Sequence, residues 1–309
     1  MLSRIAESIY WIGRLVERAE DTARLLDVHV SMLLEDVGLN EARMCADVLT
    51  SLGLAPAESV TTTIELLELV AYSAEGPIVG ALTAARDNAR TVREAISSEM
   101  WEALNTTRNS LAAQRTRARK QGPYEFFGFV KMRAALVSGL AESTMARDDG
   151  WHFMILGRSL ERVDMTVRTL SVAGASRDPQ LASVALLRAC GAFEAYLRTY
   201  RAMVATQRSA EFLLLDRLFP RSVFHALTEA EQALLRLVPA GVGRTGVADA
   251  ALLALGRVRT RLEFAAPGSV LSDMGEHLRA VQEATNEASA AVADRFFDKQ
   301  TVIAWSVEA

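Results

Sequence analysis

The string Gly-Arg-x-x-Glu-Arg occurs twice in this chain, as Gly13-Arg14-Leu15-Val16-Glu17-Arg18 and as Gly157-Arg158-Ser159-Leu160-Glu161-Arg162. On a helix, arginines four apart with a glutamate three after the first share a face and reach one another. A planar guanidinium pairs bidentately with a carboxylate or a phosphate. The pattern therefore points to anion recognition. Arg14, Arg18, Arg158 and Arg162 would hold an acyl phosphate, a carboxylate or a phosphorylated intermediate, and Glu17 or Glu161 would orient them or receive an amine. Arg24 and Arg168 prolong the two stripes. Glu17 and Glu161 are the candidate catalytic residues, and the arginines the candidate substrate-binding set.

The element that positions them is a repeated helix. Residues 12–26 align without gaps on 156–170, with seven of fifteen positions identical, against about one expected by chance. At about 100° per residue, Ile12, Leu15, Val16, Ala19, Ala23 and Leu26 share one side, and Arg14, Glu17, Arg18, Asp21 and Arg24 take the other. In the second copy Leu156, Leu160, Val163, Val167 and Leu170 oppose Arg158, Glu161, Arg162 and Arg168. Two readings stay open. Each polar stripe is a solvated face laced with weak surface ion pairs, or the two stripes face each other as a buried or cleft-lining cluster.

A shorter echo relates Arg86-Asp87-Asn88-Ala89-Arg90-Thr91-Val92 to Arg217-Leu218-Phe219-Pro220-Arg221-Ser222-Val223. Chance explains so short a match readily; if genuine, it brings Arg86, Arg90 and Arg221 to the same cleft. Metal chemistry is disfavoured. A helical bundle would use Glu-x-x-His pairs, none occurs, and His29, His152, His225 and His277 are scattered. Cys45 and Cys190 fit neither a disulfide framework nor a CxxC site and read as buried thiols. Trp11, Trp101 and Trp151 read as core aromatics.

The remaining elements are also helical. Seven prolines, few β-branched alternations and abundant Ala, Leu, Arg and Glu favour helix over sheet. We expect a long helix from Ser3, as N-cap, to Glu35, and a second over Asn40–Leu52. A short one follows Thr63, and a long one runs from Ile78 into the Asn105 region. The basic run Arg115–Pro123 reads as an exposed connection. Helices then cover Pro123–Met145 and Asp148–Ala173, and a long one opens at Asp178-Pro179. Thr228 with Glu231 gives a capping-box start, Gly241–Gly246 a flexible linker, and two helices lead to Phe297. The expected fold is all-α: one helical bundle over 1–309, internally duplicated into pseudo-twofold halves of approximately 1–120 and 121–309.

A net charge of -4 argues against general nucleic-acid affinity, although 31 of the 34 basic residues are arginines. No apolar run spans a membrane, and Arg4, Glu7 and Arg14 interrupt any signal-peptide core. The default is a cytoplasmic protein.

Taken together, the residues resemble the bacterial Alpha-E family, a helical domain named for its Glu-Arg signature. The likeness covers nearly the whole chain. It is carried by Ser3-Arg4 through Glu17-Arg18 and Arg24, by Ala85–Glu94 with Trp101 and Asn105, and by Ser143-Thr144-Met145 and Gly150-Trp151. Gly157-Arg158 with Glu161-Arg162, and Phe219-Pro220-Arg221-Ser222-Val223, complete it. The resemblance implies association with circularly permuted ATP-grasp proteins and with transglutaminase-like proteins, in ATP-dependent amide or peptide bond formation or peptide modification. ATP would then enter through the partner, with no cofactor bound directly. Two function classes emerge. In one, the protein handles or transforms the anionic substrate of such a system. In the other, it is a non-catalytic scaffold that docks the partner, and its Glu-Arg clusters are structural salt bridges.

Overall fold

The computed structural model describes residues 2–36, 38–239, 242–243 and 246–297. Among them the fold is all-helical apart from two two-residue strands. The helices are α1 (Ser3–Glu35), α2 (Glu41–Ser51), α3 (Thr63–Leu66, continued by a π-helical turn over Leu67–Tyr72), α4 (Val79–Thr91), α5 (Ser98–Gln121) and α6 (Tyr124–Thr144). After them come α7 (Asp149–Gly174), α8 (Pro179–Ala189), α9 (Phe193–Tyr200), α10 (Thr206–Leu215), α11 (Val223–Leu237), α12 (Ala250–Glu263), α13 (Pro267–Ser272) and α14 (Met274–Phe296). None is long and apolar enough to cross a membrane, among the described residues.

The two helices that carry the repeated string, α1 and α7, are the centre of the bundle and pack against each other. Their glycines set how closely. A Cβ on Gly13 would lie 2.3 Å from the Met154 carbonyl oxygen, and one on Gly157 would lie 2.1 Å from that of Tyr10. Both distances are inside van der Waals contact, so only glycine lets these backbones touch. Around this crossing α1 packs chiefly on α4, α6 and α8, while α7 packs chiefly on α11, α14, α2 and α8. Every apolar position expected on the inner side of α1, from Ile12 to Leu26, is buried. Glu17, Glu20, Asp21 and Thr22 are buried as well. The stripe opposite the apolar side is therefore no solvated face, because α7 and the turn before α11 cover it.

Several boundaries differ from the sequence expectation. Ser3 is the first residue of α1 rather than its cap, which is Leu2. Asn40 caps α2 as its side chain accepts from the Arg43 amide at 2.9 Å. The helix expected from Ile78 to Asn105 is broken after Thr91, and Ser97 starts α5 by accepting from the Met100 amide at 3.1 Å. The run Arg115–Gln121 is not a connection. It is the last two turns of α5, pinned to the π-helical turn by Arg115 donating to the Tyr72 carbonyl and by a bidentate Arg119–Glu68 pair. Asp178 caps α8 as expected, accepting from Leu181, but the long helix expected beyond it is divided. Gly191 and Arg201, both at positive φ, separate it into α8, α9 and α10. Ser222, not Thr228, caps α11; Thr228 lies inside it and bonds the Phe224 carbonyl. Within the expected linker, Val242–Gly243 pairs antiparallel with Gly246–Val247, and its other residues lie outside those described.

Candidate functional site

The two stripes meet and exchange partners. Glu161 on α7 accepts from Arg14 Nε at 2.7 Å and from Arg18 Nε and Nη2 at 2.5 and 3.0 Å, all on α1. Glu17 on α1 accepts from Arg162 Nε and Nη2 of α7 at 2.7 and 2.8 Å. Each signature glutamate is thus gripped by the arginine beside the other. Both carboxylates are 1–2% exposed, so each is a buried charge that needs this pairing to exist.

The second arginine on each glutamate differs. Glu161 takes Arg14 from its opposite string, but Arg158, the residue aligned with Arg14, forms no ion pair among the described residues, and its Nε is buried without a partner. Its place on Glu17 is filled by Arg221, from the turn between α10 and α11, at 2.9 Å. Arg221 also pairs with Glu20 at 2.8 Å and with Asp21. The prolonged stripes do likewise: Arg24 holds Glu20 and Arg168 holds Asp164 at 2.6 Å, with Gln282 donating to the other Asp164 oxygen.

Charge states result from this geometry. Burial alone would raise the Glu17 carboxyl, but Arg162, Arg221 and Arg158 outweigh it and hold it at about 2. Burial opposes ionisation of Glu161 too, and Arg14 and Arg18 bring it below the usual carboxylate range. Burial pushes Asp21 up to about 7, with Arg221 opposing and Glu17 and Glu20 assisting. Burial and the neighbouring Arg162 lower Arg158. A general base works best with a pKa near the working pH. Glu17 and Glu161 are favoured in the carboxylate form and capped by guanidinium groups, an arrangement suited to orienting arginines.

One side of this cluster is open. Arg14, Arg18, Arg168 and Glu161 line a cavity of about 660 Å³, whose other walls are the turn Gly76-Pro77 before α4, Leu52 and Leu54 after α2, and Asn286 and Ser289 of α14. Arg14 is anchored there by Nη1 donating to the Tyr10 hydroxyl and the Ser289 hydroxyl, and lies over the ring of Trp11. The Arg18 side chain is 35% exposed and spends only Nε and Nη2 on Glu161. Its remaining three N–H groups form no hydrogen bond among the described residues. The α10–α11 turn with Arg221 covers the opposite side of the cluster.

Of the eleven candidate residues, the fold brings together Arg14, Glu17, Arg18, Arg24, Arg158, Glu161, Arg162, Arg168 and Arg221. It does not bring in Arg86 or Arg90. Arg86 donates to Asn105 and Asp87 and lies over the ring of Trp101, while Arg90 is exposed on the last turn of α4. The short echo fails because Arg90 ends a helix whereas Arg221 precedes one. Sequence reasoning passed over Glu20 and Asp164, although they align with each other in the repeat and each holds an arginine. Ser289 and the Gly76-Pro77 turn carried no local signal. Among the described residues no three His, Cys, Asp or Glu side chains are arranged to hold a metal ion.

Comparison with known proteins adds one decisive finding. Over residues 1–297 the chain matches Alpha-E, described as a predicted alpha-helical domain with a conserved ER motif. The chain belongs to the Alpha-E family. Its only two Glu-Arg dipeptides are Glu17-Arg18 and Glu161-Arg162, so in this Alpha-E domain the motif occupies both sides of the α1–α7 contact. The domain is also similar to uncharacterized proteins of Mycobacterium bovis and of two Mycobacterium tuberculosis strains. Each is 24% identical over 271 residues, covering 78% of this chain and 30% of the relative. The chain thus spans less than a third of the length of these relatives. No solved structure matches it.

Proposed function

We propose that this Alpha-E domain is the substrate-handling component of an ATP-grasp-associated system that forms amide or peptide bonds or modifies a peptide. In this reading the cavity beside α1 and α7 binds an anionic substrate or intermediate through Arg14, Arg18 and Arg168. One observation carries the reading: a buried Glu161 carboxylate fixes two guanidinium groups at the wall of a roomy cavity, with N–H groups of Arg18 left over. Preorganised donors of this kind hold a carboxylate or phosphate at little reorganisation cost. ATP would be used by the partner, a circularly permuted ATP-grasp protein, in the cytoplasm, with transglutaminase-like proteins as further associates. Relatives more than three times as long as the stretch they share with this chain suit a domain that works joined to others.

The scaffold reading is favoured by a different observation, the saturation of Glu17 by Arg162 and Arg221 on the side away from the cavity. The two readings are compatible when the Glu17 side is structural and the Arg18 side binds. The test is a condensation assay with a purified circularly permuted ATP-grasp partner, ATP and amino acids. Arg18→Gln is expected to remove product formation and to lower stability, while Arg14 still pairs with Glu161 and the variant folds and assembles with the partner at the assay temperature. Full activity of Arg18→Gln in an intact complex would leave only the scaffold.

A further inference from the structure

The arginine cavity has a neighbour along one wall. Arg168 and Asn286 line it, and both also line a second cavity of about 890 Å³ between the C-terminal half of α7, the end of α2 and the start of α14. The two spaces thus share one guanidinium and one amide in their walls. Their walls differ in kind. The first presents Arg14, Arg18 and Glu161, whereas the second is mainly apolar, with Leu170, Val172, Met274 and Leu278. Thr50, Ser171 and Gln282 add polar points to it, and Asp47 and Arg279 one charge of each sign.

The divider is a built feature. Asp164 holds Arg168 Nη2 at 2.6 Å from one side. On the other, Gly53 at φ 72° comes so close that a Cβ would stand 2.1 Å from Arg168 Nη1. The positive φ favours glycine there, and any side chain would push the Arg168 guanidinium aside. Asn286 is exposed and forms no hydrogen bond among the described residues, and the Gln282 amide nitrogen is committed to Asp164. Its carbonyl oxygen remains an acceptor. An isolated phosphate or acetate would leave the second cavity empty.

We propose that the ligand is an extended chain that crosses Arg168. Its terminal carboxylate lies with Arg14 and Arg18, its apolar substituents lie over Leu170, Val172 and Leu278, and its amide groups face Asn286 and Gln282. The chemical class is a short apolar peptide with a free carboxyl end. This rests on the anion-binding reading of the first cavity and adds to it a second subsite that selects for length and apolarity. Burying two or three apolar side chains there would tighten binding by a factor of ten or more.

Titration calorimetry with three probes tests this: N-acetylglycine, which fills the first cavity alone; an N-acetylated leucine tripeptide with a free carboxylate; and dodecanoate, an apolar carboxylate without amides. Wild type should bind the tripeptide at least tenfold more tightly than N-acetylglycine, and more tightly than dodecanoate. Ser171→Trp, at an exposed position on the wall of the second cavity, should abolish the tripeptide's advantage and leave N-acetylglycine binding unchanged. Thr50→Trp, on the facing wall, gives the same reading if the first variant does not fold. Equal affinities for tripeptide and N-acetylglycine would overturn the second subsite while leaving the anion reading standing. An advantage that survives both tryptophans, or dodecanoate equalling the tripeptide, would overturn it as well. Failure of all three probes to bind would remove the anion reading, and this inference with it.

Discussion

At the scale of single residues, the signature glutamates are best understood through what surrounds them. Glu161 receives three guanidinium N–H groups within 3.0 Å and Glu17 two, besides the Arg221 pair. Removing one partner of a buried pair leaves an uncompensated charge, at a cost of about 3–5 kcal/mol. Glu161→Gln should therefore lose stability of that order in urea denaturation. Loss of activity with unchanged stability would instead make Glu161 a reacting group. Asp21 gives a second prediction, with the opposite sign to most carboxylates. Its folded pKa, about 7, lies above the unfolded value of about 3.9. Its contribution is fully present below the unfolded value and is lost as pH rises towards 7. Relative to Asp21→Asn, wild type should thus lose up to about 1.4 kcal/mol per pH unit between roughly pH 4 and 7, then level off. A wild-type advantage that grows across that window would contradict the assignment.

At the scale of elements, the α1–α7 crossing depends on two small residues. Gly13→Ala or Gly157→Ala places a methyl group about 2 Å from a carbonyl oxygen of the facing helix. The backbones must then separate, at about 1–3 kcal/mol or more, read by chemical denaturation. A change within about 0.5 kcal/mol, typical of surface sites, would show that the helices do not touch there. Much at this scale was legible in the sequence. A gapless repeat identified both central helices, and their heptad-like apolar positions gave the buried side of each. The breaks were less legible. Ser97 and Ser222 act as caps through single side-chain hydrogen bonds, and neither sits in a pattern stronger than the Thr228–Glu231 pair that misled. The basic run at the end of α5 reads as a loop by composition, because its salt bridge to Glu68 is 51 residues away in sequence.

Across the whole molecule, the packing about α1 and α7 leaves two unequal sides. Arg168 lies over Gly53 and Arg24 over Gly191, two glycines at positive φ after α2 and α8, which is the correspondence that duplicated halves would leave. Yet one side is filled by Arg221 and the other is open. The sequence announced the arginines of both sides but could not say which side was open. That choice depends on Arg221 and on the Gly76-Pro77 turn, both far from the strings they meet. Met165 stands where the repeat would place Asp21, so the open side lacks the third carboxylate that Arg221 neutralises on the closed side. In the proposed function, the open side binds anions through arginines organised by Glu161. Calorimetric titration of wild type and Arg18→Gln with acetyl phosphate and N-acetylglycine tests it most directly. Saturable binding by wild type, weakened at least tenfold in a variant that melts lower but is fully folded at the assay temperature, is the predicted result; no binding, or equal binding by both proteins, would contradict it.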